Sequence, residues 1–137
     1  MTLTKVRARP SLAATLAEEF SLGSKLMGQV NLVRYGLEHV SDRGSFTLTS
    51  GILGRSLMPG SGAASLVNGG LEAFVRAAAL EAPRGIRVNV ISPSWVTETL
   101  RALGMPLEGG LPAAVVARAY VESVTGTQTG AVIVPSA

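Results

Sequence analysis

The sequence predicts an α/β fold: a parallel sheet of about three strands with flanking helices, in one domain over residues 1–137. Three observations predict it. First, the stretch Ser45 to Thr99 runs from a short apolar segment through a Gly/Pro-rich loop into a long helical pattern. A Pro-Arg-Gly turn and a second apolar segment closed by Ser92-Pro93 follow, which is the order of a βαβ unit. Second, the two segments, Phe46–Thr49 and Ile86–Ile91, are apolar with little alternation, as in strands covered on both faces. Third, the whole chain reads helix, strand, helix, strand, helix, strand, and right-handed crossovers lay such strands parallel.

Each element has its own signals. Residues 1–10 carry no periodicity and read as a flexible tail closed by Pro10. Ser11 is placed to cap a short helix from Leu12 to Phe20, and Gly23 breaks that pattern. A second helix spans Ser24 to Val40, with Leu26, Val30, Val33, Leu37 and Val40 on one apolar face. Ser41-Asp42-Arg43-Gly44 turns the chain into the first strand. The central helix runs from Ala63 to Glu81, with Leu66, Gly70, Leu71, Phe74, Val75 and Ala78 on a broad apolar face. Glu72 and Arg76 form an i, i+4 pair on its solvent side. Gly69 and Gly70 cost about 1 kcal/mol each in helix propensity, which makes sense where another helix or backbone comes close. A short segment, Leu100–Leu103, precedes a loop through Gly104, Pro106, Gly109 and Gly110. Pro112 opens a last helix to Ser123, and Ala131–Pro135 is a closing strand.

Composition narrows the function classes. Hydrophobic residues make up 47% and charged residues 15%, against about a quarter for charge in ordinary domains. Mean hydropathy is +0.37. This suits a doubly covered sheet or a buried subunit face. No apolar run reaches the ~18–20 residues of a membrane span. The chain has no cysteine, so disulfides and thiolate chemistry are excluded, and a cytoplasmic protein is expected. The net charge is +3, and Lys5, Arg7 and Arg9 account for it. Basicity is thus a property of the tail, and with 4% aromatics nothing offers the basic face and stacking platforms of a nucleic-acid binder. Glu18 and Glu19 interrupt the basic start and its apolar run, against a signal peptide.

Few constellations carry chemistry. Gly60-Ser61-Gly62-Ala63-Ala64-Ser65 approaches a dinucleotide fingerprint, but Pro59 precedes it where a strand should, and the third glycine is lacking. It reads as a loop and helix start, capped by Ser61. His39, the one histidine, complements a helix C-terminus and has no partners for a metal site. Tyr35 and Tyr120 fall on helices away from the strand ends. Trp95 suits a pocket wall or an interface.

The segments "LTSGILGR", "GSGAASLVNGGLEAFVRAAALE" and "GIRVNVISPSWVTET" resemble the second half of a short-chain dehydrogenase/reductase, and the resemblance covers residues 20–135. It implies the second half of a Rossmann-like, doubly wound parallel sheet, and NAD- or NADP-dependent oxidoreduction of alcohols and carbonyls. The family's first half, with four strands and the glycine-rich pyrophosphate turn, is not matched. A shortened chain that holds the dinucleotide poorly by itself is therefore expected. The family's catalytic serine, tyrosine and lysine fall on Gly51, Ala64 and Asn68, and its relay asparagine on Lys25. An alanine has no proton to give. Ser50, one residue from the serine position, and Asn68 are the candidate catalytic residues. Asn68, Pro93, Val96 and Thr97 are the candidate cofactor contacts, with Ser94 and Glu98 replacing the family's Gly and Thr. The resemblance also implies a homodimer through helices 24–40 and 63–81, with neither nucleic acid nor membrane as partner. The alternative is a non-catalytic interaction protein derived from the fold.

Overall fold

Three short strands, β1 (Ser45–Thr49), β2 (Arg87–Ile91) and β3 (Val132–Ile133), form a parallel sheet in the order β1-β2-β3. The computed structural model describes residues 22–137. The expected tail and the helix from Leu12 to Phe20 lie outside the described residues. A π-helical turn, Leu22–Leu26, leads into α1 (Met27–Gly36). The long helix α2 (Gly62–Glu81) connects β1 to β2, and α3 (Thr97–Ala102) and α4 (Ala113–Thr125) lie between β2 and β3. Helices α1 and α2 pack on one side of the sheet and α4 on the other, so the sheet is covered on both faces as expected.

The two faces differ in chemistry, and alternation decides which is which. Phe46 and Leu48 of β1 and Val88 and Val90 of β2 point towards α1 and α2, where Val33, Val67, Leu71 and Val75 complete the buried apolar core. Full burial of each such side chain contributes about 1.5–3 kcal/mol. The intervening residues meet α4 with polar groups. The Thr47 hydroxyl lies 2.8 Å from that of Ser123, and Tyr120 Oη lies 2.5 Å from Thr49 Oγ1. Asn89 is fully buried, donates to Ser123 Oγ and to the Gln128 carbonyl, and accepts from the Ala131 amide. Both faces are covered, but the one under α4 is held by hydrogen bonds. Tyr120 also reaches the end of β1, not a point remote from it.

The first helix is shorter than its apolar spacing suggests, ending at Gly36 instead of Val40. A Cβ at Gly36 would fall 2.8 Å from the Phe46 ring, so this glycine lets β1 pack against the helix end. Arg84, from the turn before β2, donates to the carbonyls of Leu37 and Val40 and pairs with Asp42 at 2.8 Å. It satisfies the open carbonyls of the helix end from a left-handed backbone conformation, φ 57°.

The outward edge of β1 has an unusual closure. Backbone groups of alternate residues point to one side of a strand, and Ser50 N–H bonds Ile91 on β2, so those of Thr47 and Thr49 point away from it. The Gln29 carboxamide spans both groups of Thr49: its Nε2 donates to the carbonyl at 2.9 Å and its Oε1 accepts the amide at 2.8 Å. A side chain of α1 thus pairs there as a neighbouring strand would.

Candidate functional site

In a parallel sheet the crevice beyond the carboxyl ends of the strands is where ligands bind, and a pocket lies there. It measures about 220 Å³ and is lined by Ser50–Leu53 beyond β1, Pro93–Val96 beyond β2, and Asn68 and Thr99. The Ile52 N–H bonds the Pro93 carbonyl at 2.9 Å, tying the two walls together. A 3-10 turn, Ile52–Gly54, rests directly on α2. A Cβ at Gly54 would sit 3.1 Å from the backbone nitrogen of Gly69. The close approach expected at Gly69 and Gly70 is therefore made by this turn and by Leu26, not by a second long helix.

Glu72 anchors the pocket from beneath. It is 2% exposed, so the expected surface pairing with Arg76 is corrected; among the described residues Arg76 bonds only the Glu72 backbone carbonyl. The Glu72 carboxylate accepts from Ser50 Oγ at 2.9 Å and Ser92 Oγ at 2.8 Å, one serine following each strand. Arg55 completes the group, 3.4 Å from the carboxylate and donating to Ser92 Oγ at 2.8 Å. A buried carboxylate requires such partners. One helical side chain therefore holds both strand ends and the loop between them. Sequence reading missed it because an i, i+4 Glu–Arg spacing looks the same on a wet face and a dry one.

The second polar group joins α2 to the π turn. Lys25 Nζ donates to Asn68 Oδ1 at 2.8 Å and to the Ser50 carbonyl at 3.2 Å. Burial lowers the Lys25 pKa from its usual value, since desolvation disfavours the charged form. Of the predicted site residues, Ser50, Asn68, Pro93 and Val96 meet at this pocket, and Thr97 does not line it. Thr97 opens α3 and faces the turn at Gly110, where a Cβ would lie 2.8 Å from its hydroxyl; Thr99 reaches the pocket in its stead. The Ser50 side chain is committed to Glu72. Ser61 makes no side-chain cap to α2 and instead bonds Ser65 Oγ and the Met58 amide. Glu98, beside Thr97, accepts the Ala113 N–H at 2.9 Å, and that bond lowers its pKa. Among the described residues no cluster of potential ligands could hold a metal ion.

Comparison with known proteins fits this architecture. The family described as enoyl-(acyl carrier protein) reductase matches residues 10–134. The chain belongs to the short-chain dehydrogenase/reductase family. It is similar to an oxidoreductase of Methylorubrum extorquens, 36% identical over 93 residues, covering 64% of this chain and 38% of that one. It also resembles the protein lin1944 of Listeria innocua, 42% identical with a TM-score of 0.81, over 88% of this chain and 62% of that one. A small-chain dehydrogenase in complex with NADPH is 25% identical with a TM-score of 0.76, over 89% of this chain and 63% of that one. The chain thus spans less than two thirds of the length of these relatives.

Within this dehydrogenase/reductase fold, the exchange of residues at two positions has a simple geometry. The resemblance assigns an asparagine to position 25 and a lysine to position 68; this chain has the reverse, and the two side chains meet. An ammonium group and a carboxamide are both kept, with their helices of origin exchanged. The proton-bearing side chain expected at position 64 is not kept, since Ala64 offers a methyl group.

Proposed function

We propose that this chain contributes the nicotinamide and substrate end of an NAD(P)-dependent oxidoreductase acting on alcohols or carbonyls. The observation that carries the reading is the pocket at the carboxyl ends of two parallel strands, apolar in its walls and polar at its base. Its residues fit a nicotinamide. Ser94 Oγ is buried and has no hydrogen-bond partner among the described residues, and it lies between Pro93 and Val96 on the pocket wall, where a carboxamide would satisfy it. The nicotinamide, when bound, supplies or accepts a hydride. The backbone from Pro93 to Val96 orients it, and Trp95 shields it from water.

The described residues grip only that end of the cofactor. Reduced nicotinamide mononucleotide and NADPH should therefore both perturb the fluorescence of Trp95, the one tryptophan, with dissociation constants within about tenfold of each other, a difference of about 1.4 kcal/mol. A Trp95 signal unmoved by either nucleotide would overturn the reading.

A second proposal concerns assembly. Leu32 and Tyr35 on α1 and Leu66 on α2 are each more than half exposed, and a groove of about 370 Å³ between the helices is lined by Val30, Val33, Leu37, Phe74 and Ala78. Apolar surface beyond the single face needed to cover the sheet favours a partner. We take that partner to be a second copy, paired through α1 and α2.

A further inference from the structure

We infer that Asn68 presents its amide N–H to an oxygen that carries negative charge in the reacting ligand, and that Lys25 acts as a positioning residue behind it. The inference deepens the proposed function by naming what holds the substrate oxygen, and it rests on that reading for the substrate class, a ketone or aldehyde. Four observations lead to it. An ammonium group has donors and no acceptor, so the Asn68 atom 2.8 Å from Lys25 Nζ must be the carboxamide oxygen. That fixes the orientation of an amide otherwise free to flip and leaves Nδ2 as the group turned elsewhere. Nδ2 faces Gly51: a Cβ there would lie 3.1 Å from it, and Gly51 and Asn68 both line the pocket. Among the described residues Nδ2 donates to nothing, although Asn68 is only 5% exposed.

Among the described residues Lys25 forms no ion pair. The buried carboxylate of Glu72 is committed to Ser50, Ser92 and Arg55, and the two described acceptors of Lys25 are neutral carbonyl oxygens. A cation bonded to one end of a carboxamide polarises it and strengthens the N–H at the other end. Beside Ser50, Ser94 and Thr99, the lining is made apolar by Ile52, Leu53, Pro93, Trp95 and Val96, and in such surroundings a preorganised donor stabilises developing oxyanion charge far better than water-exposed groups do. The pocket therefore favours an apolar ligand whose oxygen becomes anionic, as a carbonyl oxygen does on hydride addition. The alkoxide so formed takes its proton from water.

The test needs no nucleotide, so its failure is distinguishable from failure of the cofactor reading. The probe is 4-nitrophenol, whose phenol and phenolate forms have separate absorption bands. It is titrated against the protein across pH, with Trp95 quenching to report occupancy of this pocket. The phenolate should bind about tenfold tighter than the phenol, which lowers the pKa of the bound probe by about one unit. In Lys25→Met the preference should fall to within about twofold while the phenol affinity is kept; Lys25→Arg should retain it. Asn68→Leu, which leaves the cation in place, should abolish it too and serves if Lys25→Met fails to fold. A wild-type protein that binds neither form, or shows no preference, overturns the inference. So does a preference that survives Lys25→Met or Asn68→Leu.

Discussion

Glu72 holds two serine hydroxyls that arrive from different strands, and this is where a single substitution should be felt most. Hydrogen bonds to a charged group are worth about 1.5–3 kcal/mol each, and both hydroxyls are buried. Glu72→Leu should therefore destabilise the fold by about 3 kcal/mol, measured by urea denaturation. Arg55→Ala should cost about 1 kcal/mol or less, since its side chain is 41% exposed and a wet ion pair is weak. Equal costs for the two variants would contradict the arrangement described. The candidate site was legible in part. Ser50 and Asn68 stand out as polar groups at a strand end and inside an apolar helix, and Pro93 and Val96 follow a buried strand. Glu72 was hidden because its partners, Ser50 and Ser92, are 22 and 20 residues away and no local pattern joins them. Lys25 drew attention only as a replaced position; that its ammonium meets Asn68 depends on how a π turn packs against α2.

At the scale of elements, α3 and α4 are joined by one side chain. Glu98 accepts the N–H of Ala113 at the start of α4, and Leu111 adds a parallel bridge to Val96. An anion suits a helix N-terminus, and the Ala113 bond is the main cause of the lowered Glu98 pKa. A carboxylate whose folded pKa is depressed contributes stability above its unfolded pKa and loses it as pH falls through the lowered folded value. Hydrogen exchange at Ala113 should therefore speed up as pH drops below the usual carboxylate range, beyond the intrinsic trend. Glu98→Gln should remove that added dependence. The elements themselves were largely legible: the 20-residue α2 and both strands of the βαβ unit fall within a residue or so of their sequence patterns. The pattern failed where tertiary contacts override spacing. Apolar residues continue at helical intervals to Val40, yet Phe46 at Gly36 and Arg84 at the carbonyls of Leu37 and Val40 end α1 sooner.

For the molecule as a whole, the proposed pairing through α1 and α2 sets the oligomeric state. Light scattering coupled to size exclusion should give a dimer, and Leu66→Glu should give a monomer of unchanged helix content. Leu66 is 59% exposed in the single chain, so a charge there is harmless unless a second copy covers it. A monomeric wild type, or a dimer indifferent to the substitution, would exclude this surface. Phe74 is a poorer probe because it also packs against the core, and its loss would mix unfolding with dissociation.

The carboxamide of Gln29 makes β1 a strand whose last rung is already taken. Any extended segment arriving along that side, whether from elsewhere in a longer polypeptide or from a stray neighbour, finds Thr47 unclaimed by a described partner but must evict Gln29 to continue past it. A strand that displaced this latch would have to replace both of its bonds to Thr49, so a pairing limited to Thr47 gains little. Edge strands without such protection template aggregation. Gln29→Leu keeps the bulk and removes the latch. The variant should lose exchange protection at the Thr49 amide and form fibrils after a shorter lag than the parent at equal concentration. An unchanged lag would mean that the edge is guarded by something else.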